Sequence, residues 1–303
     1  MQFDASAARL FRSYATGQAP VEDLVAHPAY VVARQHAALL GRTLDANLVA
    51  EAVAGEADAF PDSDTLQSRW EAIDRLLDTV DDRATDWIAD CTTQLTHVIP
   101  GAETGDLPLY LGIGYETGIG LADGAYLDVA RPFYRENPAR VRYVALHEST
   151  HVCYDRRHDL QATMAALDLD EPTGQRRFFE TLLHTEAYAV YTAGIPWRAD
   201  DGVADVDHPM CCDYHAVADD SWVHDLVDQY DSLRESFDRG ETLSHEALMR
   251  RTFGGLRLPY RIGCALLDRV ESEHGMAAVR DGFAMDAVSF CEKFDTVLDR
   301  YRQ

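Results

Sequence analysis

A chain of 303 residues, 47% of them hydrophobic, can fill one large core or two modest ones without a partner. Its 52 acidic residues stand against 27 basic ones, a net charge of -25, which repels nucleic acid and anionic membranes and argues against both as partners. Nowhere do about 18 apolar residues follow one another, the run that a membrane-spanning helix needs.

The acid is spread along the whole chain with no tail or block of like charges, which reads as a solvated surface and not as a docking site for a cationic partner. Of the basic residues only Lys293 is a lysine. Arginine in place of lysine, with dense carboxylates, is expected of a halophilic protein, where salt screens the repulsion among them. The opening residues MQFDASAARLFRSY lack an apolar run of signal-peptide length, so a cytoplasmic location is expected. Six scattered cysteines without a CxxC spacing point to reduced, buried thiols.

Residues 1–98 read as a helical region with a soft boundary, from the three- and four-residue apolar steps of Val21 to Leu40 and Trp70 to Val98 on either side of a polar link at Phe60-Pro61-Asp62. Its isolated His27, His36 and His97 read as structural or surface residues. Residues 99–303 read as a second domain. Leu107 to Ile113 and Leu121 to Ala130 have the composition of two strands of a small sheet, joined by a glycine-rich link. Gly112, Gly114 and Gly118 miss the GxGxxG spacing and run into a strand, so they read as turn glycines and not as a phosphate loop.

Asn137-Pro138 opens a helix through about Arg157, Asp170 to Gly174 breaks the next, and another runs from about Arg176 to Ala193. Residues 196–221 are polar and irregular. Helices resume at Trp222, the last starting near Pro259 and Gly275. The class is α+β, mainly α, with a small sheet before the central helix and a helical C-terminal part.

That central helix carries His147-Glu148-Ser149-Thr150-His151. Histidines four apart share one helical face, one turn apart, so both imidazoles can reach one ion. Glu148 lies about 100° round the helix, close enough to address a water held at the metal. A catalytic zinc needs a third protein ligand and one open position. Arg157 stands where the extended metzincin pattern needs histidine, which excludes that class; His158 comes one residue too late and remains an option for supporting a ligand.

Glu186 is the third candidate, because Leu182, Leu183, Ala189 and Val190 share its helical face and a carboxylate among apolar neighbours needs a cation. An arginine could supply that cation instead of a metal. Glu180 and His184, on other faces of the same helix, are fallback ligands. His208 and His215 beside Cys211-Cys212 form a weaker second zinc candidate, since adjacent cysteines are not a CxxC pair.

Glu186-Ala187-Tyr188-Ala189-Val190-Tyr191 resembles the stretch that supplies the glutamate ligand in gluzincin metallopeptidases, and with the HExxH upstream the chain resembles small families of predicted zinc-dependent proteases. The departure is the gap of 34 residues, 152 to 185, between His151 and Glu186. The segment from Leu258 through Pro259, Tyr260 and Arg261 to Gly263 also looks like such families. The resemblance implies a zincin-like fold and a zinc-dependent peptidase in which Glu148 activates the zinc-bound water and Tyr260 or Arg261 stabilises the oxyanion. It further implies a peptide or small amide as partner, an extended peptide lying along the edge strand Leu107 to Ile113. A zinc hydrolase of small amides or esters, or a non-enzymatic zinc-binding scaffold, would share the metal ligands.

Overall fold

The computed structural model describes residues 1–44, 66–199, 212–214 and 219–302. The polar link at Phe60 and the His208, Cys211 and His215 of the second zinc candidate lie outside the described residues, as does most of 196–221. Mainly helical with one small sheet, the described chain divides into two compact units, Met1–Thr96 with Gly101–Arg156, and His97–Pro100 with Arg157–Gln303. No described helix is long and apolar enough to cross a membrane.

The first unit is organised on a four-stranded sheet of β1 (Gln2–Asp4), β2 (Pro108–Gly112), β3 (Gly118–Leu121) and β4 (Gly124–Asp128), in the order β1-β2-β4-β3. β1 pairs parallel to β2 and β2 parallel to β4, while β3 and β4 form an antiparallel hairpin. Two strands were not legible beforehand. β1 is three residues long, too short for a pattern, and β3 lies inside the glycine-rich link. The expectation that Leu107 to Ile113 is an edge strand is wrong, because β2 is hydrogen-bonded to a strand on each side. The sheet's edges are β1 and β3.

Helices α1 (Ser6–Ala15), α2 (Val21–Ala26), α3 (Pro28–Leu39) and α4 (Leu66–Val98) precede the sheet's inner strands. The expected helix from Val21 is two, because Pro28 cannot donate to the preceding turn. His27 caps α3, its Nδ1 accepting from the Ala29 amide at 3.2 Å, and His36 pairs with the Tyr115 hydroxyl at 3.1 Å. α1 and α3 lie against the sheet, and all five residues of β4 are buried.

After the short α5 (Pro132–Glu136) comes α6 (Arg140–His158), the helix of the HExxH segment. Asn137 Oδ1 accepts from the Ala139 amide at 3.1 Å just before it. The β3–β4 turn is tied to its far end: the Ala122 amide donates to Asp155 at 2.8 Å and Arg156 donates back to the Ala122 carbonyl at 2.8 Å. Leading up to this turn, β3 lies on α6 at backbone distance. A Cβ at Gly120 would sit 2.1 Å from the Glu148 carbonyl oxygen, and one at Gly118 2.5 Å from Glu148 Oε1.

The second unit holds α7 (Leu160–Ala165), α8 (Pro172–Ala199), α9 (Asp220–Asp238), α10 (His245–Thr252), α11 (Leu258–Phe283) and α12 (Ala287–Phe294), closed by a 3-10 turn over Asp295–Tyr301. α11 breaks at Gly275 (φ 80°), where a new helix start is expected from the sequence. α8 and α11 form its centre, with Gly263 set so closely on α8 that a Cβ there would be 2.6 Å from that of Ala187. Tyr188 donates to the Val279 carbonyl at 2.6 Å.

Gly120→Ala has no space to occupy, since the atom it would meet is helix backbone. It is expected to lower stability by about 2 kcal/mol or more, the range of overpacked cores. Gly105→Ala, where nothing lies within 4 Å, should change it by under about 0.5 kcal/mol. Thermal or denaturant melts of the two variants in molar salt check the contrast.

Candidate metal centre

The middle of α6 is buried all round, so its polar residues are held among protein atoms and not in water. His147, Glu148 and His151 are each less than a tenth exposed. One turn apart, the two imidazoles turn their Nε2 atoms toward each other at 3.2 Å, with ring centroids 4.9 Å apart and planes at 74°. Two nitrogens bound to one tetrahedral zinc at 2.0–2.1 Å stand about 3.3–3.4 Å apart. The spacing therefore fits a shared ion without rearrangement of the helix.

Glu148 extends from the same turn, its Oε1 against the bare backbone of Gly118. A side chain at Gly118 would displace that carboxylate, so β3 contributes to the site through what it lacks.

On α8, Glu186 is 6% exposed, as its apolar helical face predicts. His147, His151 and Glu186 form a buried group in which each offers one ligand atom, all within 4.8 Å of one another. Two imidazoles and a carboxylate are a donor set suited to a divalent transition metal. It is the metal-capable group of three among the described residues.

The fallback ligands point to other partners. Glu180 accepts from Arg176 Nε at 2.9 Å, with Arg176 also on Asp238 at 2.6 Å. His184 Nε2 meets the Gly282 carbonyl at 3.1 Å, its ring stacked on Phe290, and burial pushes its pKa down to about 3. His158 turns its Nε2 to the Phe283 carbonyl at 2.8 Å, and burial lowers its pKa as well. Both imidazoles thus hydrogen-bond carbonyls at the end of α11.

Tyr260 and Arg261 lie in the first turn of α11. Arg261 Nε donates to Asp213 Oδ1 at 2.9 Å and its guanidinium lies over Trp222 at 4.8 Å. The Tyr260 ring carries Arg257 over its face at 3.7 Å. Burial first, and then the charge of Glu186, raise the Tyr260 pKa well above the ordinary tyrosine value. Sequence reasoning missed Asp213 and Arg257; an Asp in a polar irregular stretch gives no signal of the two arginines it meets.

No known protein family, curated protein or solved structure matches this chain.

Glu186→Gln is expected to weaken metal retention at least tenfold, because a neutral amide is a poor ligand and outer contacts alone are worth about that much. Glu180→Gln, whose target is bonded to Arg176, should leave it within about twofold. Chelator competition on the purified variants measures both.

Proposed function

We propose that the chain is a zinc-dependent hydrolase of peptide bonds, with His147, His151 and Glu186 as metal ligands and Glu148 as general base. The observation that carries this reading is the buried donor group of two imidazoles and one carboxylate, with a second carboxylate, Glu148, on the same helix turn as the histidines. A structural zinc would be expected to close its fourth position with another ligand, and the donor set has three members among the described residues.

A zinc ion held there supplies a Lewis acid that polarises a carbonyl and brings the pKa of a water ligand to about 7. The rest is assigned to the chain. His147 and His151 bind through Nε2, and their position on a buried helix holds them at ligand spacing before an ion arrives. Glu148, pressed against Gly118, takes the proton of the attacking water and returns it to the leaving amine, the bond between carbonyl carbon and nitrogen breaking as the carbon–oxygen bond forms. β3, an edge strand of the sheet among the described residues with one face on Glu148, is the strand along which an extended substrate would lie. Tyr260 and Arg261 remain the proposed donors to the oxyanion.

Freshly purified protein is expected to contain about one zinc per chain, and Glu148→Gln to retain it while hydrolysis of a peptide panel falls at least about a hundredfold. Metal analysis and cleavage assays belong in molar salt, where the net charge of -25 is screened. Zinc binding without cleavage across peptides, amides and esters would favour the scaffold. Cleavage of small amides or esters alone would move the substrate class, and equal cleavage by wild type and Glu148→Gln would remove Glu148 as base.

A further inference from the structure

The turn that opens α11 gathers more positive charge than the carboxylate bound to it can balance. Asp213, 1% exposed, accepts from two arginines one helical turn apart, Arg257 Nε on Oδ2 at 2.7 Å and Arg261 Nε on Oδ1 at 2.9 Å. Each guanidinium also rests on a ring, Arg257 over Tyr260 at 3.7 Å and Arg261 over Trp222 at 4.8 Å, which fixes both in place. Arg257, directly before the helix, is one of two described non-glycine residues with positive φ (φ 47°), a conformation uncommon for a bulky side chain.

Two guanidiniums against one carboxylate leave a positive charge without an anion of its own, since Glu186 stands in the metal-capable group. Elsewhere the chain does the opposite: with 52 acidic residues to 27 basic ones, Arg302 alone gathers Asp231, Asp295 and Asp299. Arg261 is only 7% exposed, and a buried charge is costly unless it is paired and hydrogen-bonded. Its Nη1 and Nη2 have no hydrogen-bond partner among the described residues, nor has Arg257 Nη2, while Arg257 Nη1 reaches the Phe253 carbonyl at 3.4 Å. The arginine nitrogens of this unit that are both sealed and without a partner are the Nε of Arg234 and Arg269, so these Nη groups are open to a ligand from solvent. A guanidinium bound through Nε keeps its end-on pair, Nη1 with Nη2, the edge that matches a carboxylate in two parallel hydrogen bonds.

The same stretch of α11 packs beside Glu186. Gly263, two residues after Arg261, lies so close to α8 that a Cβ there would stand 2.6 Å from that of Ala187, the residue after Glu186, and 2.9 Å from the Leu183 carbonyl oxygen. We propose that Arg257 and Arg261, held on Asp213, form a subsite for the free C-terminal carboxylate of a short peptide substrate. This rests on the peptidase reading above and adds to it the class of peptide, since every unblocked peptide carries that planar anion whatever its sequence. Arg261 then turns its end-on edge to the carboxylate, and Tyr260 is left as donor to the oxyanion.

The test uses the full chain, zinc-loaded and in molar potassium chloride, with a panel of short peptides each made as the free acid and as the C-terminal amide. Calorimetry on Glu148→Gln reads binding, and wild type reads kcat/KM. The free acids are expected to bind and to be cleaved at least about tenfold better than their amides, the low end for hydrogen bonds to charged groups. Arg261→Gln should keep its zinc and lower that preference at least about fivefold, as losing one partner of a buried charge pair does. Arg257→Gln, at a less buried position, is read in the same way and replaces it if Arg261→Gln does not fold.

Equal handling of acid and amide by a chain that cleaves peptides would overturn the subsite and leave the peptidase reading standing. A preference that survives both arginine variants would overturn it as well. An amide ending in aspartate that matches the free acids would overturn the choice of the terminal carboxylate. A zinc-loaded chain that neither binds nor cleaves any peptide would defeat the peptidase reading itself, and this inference with it.

Discussion

The contact between β3 and α6 is the constraint on which the geometry of the HExxH segment depends. Two glycines on alternate positions of a strand, Gly118 and Gly120, bring sheet backbone against helix backbone along the turn that carries Glu148 and His151. Alternation puts both on one face of the strand, and the helix meets that face with Val144 and Glu148 at one end and the base of His151 at the other. Asp155 and Arg156 then tie the hairpin turn to the same helix, which holds the strand there at the end of β3. A carboxylate so enclosed has few rotamers open to it, which is the form of preorganisation a general base requires.

The second unit solves a different problem, the burial of charge. α8 runs through its centre and carries Glu180 and Glu186, both nearly inaccessible. Burial raises the pKa of Glu180 while Arg176 opposes it through a hydrogen bond, so one carboxylate of the helix is matched by arginine. Glu186 instead stands in the group with His147 and His151. Buried ions are tolerated when paired and hydrogen-bonded, a condition that Arg176 meets for Glu180.

Arginine is the structural cation of this chain. Arg302 gathers Asp231, Asp295 and Asp299, and Arg234 shares Asp295, which fastens the last turn to α9. A planar fork that binds carboxylates two at a time suits a chain with about twice as many acids as bases, because each arginine can serve several of them. The Asp213 pair of arginines is the reverse case, one carboxylate serving two forks. Cys91, Cys153, Cys264 and Cys291 are free and buried, and burial raises their pKa values.

The long helices and the three residues of the metal-capable group were legible in the sequence because both depend on local periodicity. The three- and four-residue apolar step marks α4, α6 and α8, and the four-residue spacing of His147 and His151 puts two imidazoles on one face of any helix. The same step singled out Glu186 from Glu180 and His184 by its apolar neighbours. What the sequence left open is what depends on pairing between distant segments. A three-residue β1, a strand hidden among glycines and the choice of β3 over β2 as an edge follow from which backbones hydrogen-bond, and residue type says little about that. The pairing of Asp213 with Arg257 and Arg261 is of the same kind: the left-handed turn at Arg257 and a carboxylate 44 residues away in the chain are brought together by packing alone.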